Sequence, residues 1–198
     1  IAMGVAIVVS IDIANYSSSK AFDLSMNAVA GKATHQIIGT SEGIPDSFYT
    51  YLRVNKGIRN IAPVIEAYAS IPDSNKKVFK LLGVDFFAEQ PFRDYLSQTG
   101  ASIDGELKDF LTKSNSILLS IESLDKLKKV IGDSLNVLIN GKAKTIYIVG
   151  TITEEEQNKS ALENLFITDI ASAQELTEKN DKIDYIDVIV EEPSEEKN

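Results

Sequence analysis

Two β-type runs joined by Asn140-Gly141 are the strongest constraint on the fold of this 198-residue chain. The runs NVLI and KAKTIYIVG are rich in β-branched and aromatic residues, which favour strands. An Asn-Gly connection of two residues forms a turn with positive φ at both central positions and joins neighbouring antiparallel strands. The sequence therefore predicts a hairpin here, and with it a fold that contains antiparallel sheet.

Strand–helix–strand patterns lie on both sides of this hairpin. The expected elements are strands at 33–39, 58–71, 77–84, 116–120, 165–168 and 183–190, and helices at 46–54, 121–130 and 171–177. In the run 58–71, alternation puts Val64, Glu66, Tyr68 and Ser70 on one face, and Pro63 indicates a sheet edge or a bulge. Two such halves around a β-rich insertion predict an α+β fold of the split βαβ type.

The first 31 residues predict a long N-terminal helix. Residues 1–11 carry no charge, but this run is shorter than the roughly 20 residues that cross a bilayer. Beyond it, apolar residues continue at helical spacings, and Gly31 is a natural helix end. We interpret this segment as the outer end of a transmembrane helix that continues as a stalk; a buried strand or core helix is the alternative. The apolar positions assigned to mechanical coupling are Ile7, Ile11, Ala14 and Phe22.

The charge distribution argues against a nucleic-acid-binding protein. Residues 1–153 hold 16 basic and 15 acidic residues, whereas residues 154–198 hold 4 and 14, so the net charge of −9 comes from the last quarter of the chain. A phosphate-binding face needs clustered Lys and Arg. The one dense cluster is Lys126, Lys128 and Lys129, which is typical of a solvated helix face.

No catalytic or metal-binding arrangement is visible in the sequence. His35 is the single histidine and there is no cysteine, so the usual zinc and iron ligand sets cannot form. No nucleophile or nucleotide-binding motif accompanies His35, and no catalytic, metal or cofactor site is therefore assigned. A hydrolase that uses two converging carboxylates is the weakest alternative.

A cluster of aromatic residues follows the strand at 77–84. This cluster contains Phe86, Phe87, Phe92 and Tyr95. It could line an apolar groove for a ligand or partner, although such clusters more often form the core of a small lobe. Both interpretations are kept at this point.

Five segments together resemble the MacB-like periplasmic core domain of FtsX-like ABC transporter permeases. They are GVAIVVSIDIAN, IRNIAPVIEAYA, LLGVDFF, SILLSIESLDKLKKVIGDSLNVLINGKAKTIYIVG and ITDIASAQELTEKNDKIDYIDVIV. The last two are the most telling. The motifs are structural rather than catalytic, and they cover almost the whole chain.

The resemblance implies a domain outside the inner (cytoplasmic) membrane, on its periplasmic side. It has a Porter-like α+β base (32–72 plus 154–198), an inserted β-rich Sabre-like lobe (73–153) and the end of a transmembrane helix with its stalk (1–31). Such a domain is not an enzyme and holds no cofactor, because ATP binds a separate ATPase subunit. The implied partners are that ATPase, a second permease protomer and a periplasmic protein or substrate.

The task that the resemblance implies is mechanical. ATP-driven motion is transmitted to export, to lipoprotein or lipid extraction, or to the activation of a cell-wall hydrolase. The alternative from another class is a membrane-anchored extracytoplasmic module that senses or binds a ligand, which predicts an enclosed pocket with convergent polar groups.

Overall fold

A computed structural model describes residues 31–72, 77–93, 106–152 and 162–190. The predicted stalk, with Ile7, Ile11, Ala14 and Phe22, lies outside these residues, and so does Tyr95. The long N-terminal helix and its role in coupling stay predictions.

Ten strands and five helices are described. The strands are β1 (His35–Ile38), β2 (Ile44–Pro45), β3 (Ile61–Ser70), β4 (Val78–Val84), β5 (Ser116–Ser120), β6 (Ser134–Ile139), β7 (Lys142–Ile152), β8 (Leu165–Asp169), β9 (Lys182–Ile183) and β10 (Tyr185–Val188). The helices are α1 (Asp46–Thr50), which continues as a π-helical turn (Tyr51–Asn55), α2 (Phe86–Glu89), α3 (Glu106–Thr112), α4 (Ile121–Leu127) and α5 (Ile170–Thr177). The predicted α+β class is confirmed.

Eight of these strands form one mixed sheet in the order β1-β10-β3-β4-β8-β5-β7-β6, and β2 pairs with β9 separately. The last strand in this order, β6, also pairs with the end of β3, through Ala69 with Ile139 and Ser70 with Leu138. Six strands therefore close into a ring, and β10 and β1 extend from β3 as a two-stranded wing. The pairs β4–β8 and β5–β7 are parallel, and the other pairs of the sheet are antiparallel.

The strands of the predicted insertion and of the predicted base share this sheet. Strands β4 to β7 belong to residues 73–153, yet β4 pairs with β3 and β8, and β6 pairs with β3. The division into a base and an inserted lobe stays a prediction, since strand pairing alone draws no boundary between them.

The predicted hairpin is confirmed as β6 and β7. Their register runs from Ser134 opposite Tyr147 to Ile139 opposite Lys142. Asn140 and Gly141 both adopt positive φ, at 51° and 76°, as the two-residue turn requires. Local turn chemistry is enough to specify this element.

Strand β3 has the predicted alternation, with Ile65, Ala67 and Ala69 buried and Tyr68 exposed. Strand β3 lies between β10 and β4, but at Pro63 it is paired only on the β10 side, which agrees with the expected sheet edge at this residue. Pro63 is opposite Ile186 of β10, whereas pairing with β4 starts only at Val64. The proline thus stands one residue beyond the β3–β4 ladder, where its missing N–H removes no hydrogen bond to β4.

Two apolar layers stabilise the sheet. One contains residues from the ring of six strands, such as Leu81, Ile117 and Ile148. In this layer the aromatic rings of Phe79 and Phe166 stack at a centroid distance of 4.2 Å. The other covers the opposite face, where Leu82 and Ile167 pack with Phe110 of α3. Burial on both faces explains why β5 is apolar without alternation.

Helix α5 packs against the sheet at Gly83 of β4. A Cβ at Gly83 would lie 2.1 Å from the Cβ of Ala173, so the absence of a side chain is what allows the helix to approach. Asp169 caps this helix by accepting hydrogen bonds from the backbone N–H groups of Ala171 and Ser172.

Replacing Gly83 with Ala is expected to lower the free energy of unfolding by about 1–3 kcal/mol, because α5 must shift to admit the methyl group. The measurement is urea unfolding followed by circular dichroism. The matched control is G83A combined with A173G, which removes the opposing Cβ and should restore the stability of A173G alone. If G83A lowers the stability of the A173G variant as much as it lowers that of the wild type, the close contact is not the cause.

Candidate functional site

The first and last described strands, β1 and β10, are neighbours in the sheet. His35 is opposite Val188 in an antiparallel register. Thr34 ties them together: its N–H and Oγ1 donate to the Val188 carbonyl at 2.9 and 3.1 Å, and its Oγ1 accepts from the Val190 N–H at 2.8 Å. The described chain therefore begins and ends side by side.

Helix α2 and the residues after it pack beneath these two ends. Asp85 caps α2 by accepting from the N–H groups of Phe87 and Ala88. Phe92 is fully buried among Ala62, Ala88, Ala33 and Ile189. We call residues 31–36, 86–93 and 187–190 the junction, because three separate segments meet there.

Gly31 fits the junction for two reasons. Its φ of +70° is unfavourable for other residues, and a Cβ there would lie 2.5 Å from the Phe92 carbonyl oxygen and 2.8 Å from Cγ of Arg93. The next residue, Lys32, donates its N–H to the same carbonyl at 2.8 Å. The start of the described chain is thus held directly on the segment after α2.

A buried ionic cluster links the three segments. Arg93, Glu89 and Asp187 are each 2% exposed or less. The Arg93 guanidinium pairs with Asp187 Oδ2 at 2.9 Å and also with the Glu89 carboxylate, and Gln36 Nε2 donates to Asp187 Oδ1 at 2.8 Å. Buried charges are tolerated only when they are paired and hydrogen-bonded, so this geometry fixes α2, β1 and β10 relative to one another.

Two carboxylates share one guanidinium in this cluster. Burial raises the pKa of the Asp187 carboxyl above its ordinary value, and the charge of Arg93 opposes the shift without cancelling it. Because the folded state holds this proton more tightly than the unfolded chain does, the contribution of Asp187 to stability falls as pH rises through the shifted pKa.

A second polar network lies next to the junction on β3 and β10. Tyr185 donates its hydroxyl to Glu66 Oε1 at 2.9 Å, and Lys80 pairs with the same carboxylate. Burial, and then the Glu66 charge, raise the pKa of the Tyr185 hydroxyl. This tyrosine therefore stays neutral and acts as a hydrogen-bond donor.

The three described members of the predicted aromatic cluster, Phe86, Phe87 and Phe92, differ in burial. Phe92 is buried in the junction, and Phe86 packs at a ring-centroid distance of 6.4 Å from Phe110 in a different apolar layer. Phe87 is 66% exposed. Phe86 is half-buried and makes an edge-to-face contact with Phe87 at a centroid distance of 5.6 Å, and the role of the cluster as a groove stays a prediction.

The ionic cluster was not recognised from the sequence. The spacing of Glu89 and Arg93 matches a helical i,i+4 pair, and Asp187 interrupts an apolar run, but neither signal places them together. His35 is exposed, with Nδ1 3.0 Å from Thr34 Oγ1. Among the described residues, no His, Cys, Asp and Glu side chains group as a metal site, and no helix is long and apolar enough to cross a membrane.

No protein-family model matches the chain. A curated relative from Mycobacterium tuberculosis, described as an uncharacterized ABC transporter permease protein, is 35% identical over 195 residues. The match covers 97% of this chain but only 22% of the relative, so this chain spans about a fifth of that protein's length. It confirms the resemblance to an ABC transporter permease.

Two solved structures are similar to this chain at low sequence identity. The extracellular domain of the noncanonic ABC-type transporter YknZ from Gram-positive bacteria has a TM-score of 0.49 and 14% identity, covering 77% of this chain and 76% of that one. The periplasmic region of MacB from Actinobacillus actinomycetemcomitans has a TM-score of 0.45 and 11% identity, covering 81% and 69%.

Replacing Arg93 with Met is expected to lower the free energy of unfolding at neutral pH by about 3–5 kcal/mol, because two buried carboxylates lose their counter-ion. The loss should shrink at acid pH, where protonation of Asp187 removes part of the unpaired charge. Denaturant unfolding at both pH values measures this.

The matched control is Lys113→Met. Asp109 of α3 and Lys113, which directly follows this helix, form the same i,i+4 type of pair, but both side chains are exposed. The control should therefore lose less than about 1 kcal/mol. Equal losses in the two variants, or a loss for R93M that does not depend on pH, would contradict the assigned role of the cluster.

Proposed function

Because this chain is related along nearly its whole length to a segment of an ABC transporter permease, we propose that it is the extracytoplasmic domain of a permease of the FtsX/MacB type. On this proposal the permease lies in the inner (cytoplasmic) membrane. The domain performs no catalysis and holds no cofactor. It transmits motion that a separate ATPase subunit generates from ATP.

The observation that carries the proposal is the junction. A domain inserted between two successive membrane helices must receive the chain and return it at one place. Strands β1 and β10 are antiparallel neighbours, and Thr34 bonds directly to Val188 and Val190. Helices that precede Gly31 and follow Val190 would thus attach to the same end of the sheet.

The contacts of the junction support a mechanical role. Lys32 is bonded to the Phe92 carbonyl, Arg93 is paired with Asp187 of β10, and β10 is paired with β3 of the ring. Close-packed interiors transmit displacement because they are nearly incompressible. Movement of a stalk before Gly31 would therefore shift the ring as a body.

The finer role belongs to the same proposal. The work delivered is export, extraction of a lipoprotein or lipid, or activation of a cell-wall hydrolase, with a second permease protomer and an extracytoplasmic protein or substrate as partners. The similarity to an uncharacterized ABC transporter permease supports a role in such a permease, and it specifies no substrate.

The proposed location predicts that the domain is accessible from outside the cytoplasmic membrane. A single cysteine introduced at Val54, which is 72% exposed, should react in intact cells or spheroplasts with a membrane-impermeant maleimide. The full permease without its other cysteines is the sample. The matched control is Ala62→Cys, which is fully buried and should react only after denaturation. Labelling of Val54→Cys that requires membrane lysis would contradict the proposal.

The proposed coupling predicts an ATP-dependent movement that needs the apolar face of the predicted stalk. Spin labels at position 54 of two protomers should change their separation when the ATPase binds ATP. Phe22→Asp should abolish this change while basal ATP hydrolysis persists. Lys20→Asp places the same side chain on the opposite predicted face and should leave the change intact. A separation that is constant with and without ATP would rule out mechanical transmission.

A further inference from the structure

Two adjoining recesses surround the C-terminal end of α4. The first has a volume of about 430 Å³, and its lining includes Lys126, Lys128, Lys129 and Leu135. The second has a volume of about 420 Å³, and its lining includes Lys77, Val78, Phe79 and Lys126. Lys126 lines both. We call the pair of recesses the lysine groove.

The lysine groove concentrates positive charge on a chain whose net charge is −9. Its lining contains four lysines and one acidic residue, Glu163, which pairs with Lys126. In the part of the chain that the structure describes, Lys77, Lys128 and Lys129 take part in none of the ion pairs found. The groove therefore offers three cationic groups to a partner.

Helix capping explains only part of this arrangement. Lys126 lies in the last turn of α4, and Lys128 ends the helix with a left-handed backbone at φ 52°. Cations at such a position are stabilised by the helix dipole. Lys77, however, comes from the residue before β4, about fifty positions earlier in the chain, and it has no capping role. Its position in the recess that Lys126 also lines needs a separate explanation.

The groove lies at the opposite end of β3 from the junction. Ile71, which lines it, directly follows β3, whereas Ile61 at the start of β3 is opposite Val188. A ten-residue strand spans about 30 Å. In the orientation of the proposed function, on which this step rests, the groove points away from the membrane to which the domain is attached.

The chemistry of the lining points to a peptide. Val78 is 51% exposed, and the partly buried Leu127 adds apolar surface beside the lysines. The lysines are spread over two recesses of about 430 and 420 Å³, so a single small anion would contact only some of them. A peptide that carries carboxylates and apolar side chains matches the lysines and the apolar lining together.

We propose that the lysine groove is the docking site for an acidic, partly apolar peptide segment of an extracytoplasmic partner protein. Carboxylates pair with Lys77, Lys128 and Lys129, and apolar side chains cover Val78 and Leu127. The electrostatic part of this binding weakens as salt screens the charges.

The experiment measures binding of a fluorescent peptide of alternating Glu and Leu to the chain by anisotropy, at low and high salt. Lys77→Glu with Lys128→Glu should weaken binding roughly tenfold or more, which corresponds to about 1.4 kcal/mol. Glu fits the left-handed backbone at position 128, since Glu178 adopts the same conformation at the end of α5. The matched control is Lys108→Glu with Lys113→Glu, which makes the same change in net charge in α3 and at the residue that follows it, and should leave the affinity unchanged.

Other outcomes would overturn the proposal. Equal weakening by both double variants would show non-specific charge attraction. Tighter binding to anionic phosphatidylglycerol vesicles than to the peptide would assign the groove to a lipid surface, and displacement of the peptide by inorganic phosphate at equal concentration would assign it to a small anion. Stronger peptide binding after Glu154, Glu155 and Glu156 are changed to Gln would show that the chain's own acidic segment occupies the groove.

The two proposals fail separately. If the peptide binds but Val54→Cys is labelled only after lysis, the docking proposal stands and the extracytoplasmic location is refuted. If Val54→Cys is labelled in intact cells but the peptide does not bind, the location stands and the docking proposal is refuted.

Discussion

The pairing of Arg93 with Glu89 and Asp187 is the interaction on which the arrangement of the junction depends. The guanidinium brings together a helix, the last described strand and, through Gln36, the first one. An unpaired charge at this depth would cost several kcal/mol, so the three segments are held in one geometry. The apolar contacts of Phe92 add area but, being non-directional, they do not select that geometry alone.

Local chemistry was enough to predict the elements that depend on neighbouring residues. The hairpin follows from Asn140-Gly141, and the strand and helix near the C-terminus follow from short apolar patterns. The cap at Asp169 is visible only in the structure. The closure of the ring could not be predicted, because it rests on two residue pairs between β3 and β6 that are about seventy positions apart. The junction was missed for the same reason: Arg93 and Asp187 meet only after the sheet has formed.

Charge is distributed in three ways along this molecule. Acidic residues dominate from residue 154 onward, the earlier part is nearly neutral, and within that neutral part lysines converge around the end of α4. The sequence shows the first two features directly. The grouping of lysines becomes visible only in the structure. Lys77 directly precedes β4, and the pairing of β4 with β3 and β8 places it in a recess that Lys126 also lines. A run that looks like a solvated helix face is thereby extended into a groove.

The wing formed by β10 and β1 makes the resistance of the domain to load depend on direction. A pull on both ends along the strand axis loads the β10–β3 ladder in shear, so all four of its residue pairs resist at once. A pull that separates the two ends sideways would instead open the β1–β10 pairs one after another, starting at His35 and Val188. Hydrogen bonds that are loaded at the same time resist a larger force than hydrogen bonds that break one after another, because each one contributes little by itself. The fold is thus suited to being drawn or pushed as one piece and poorly suited to having its two ends spread apart.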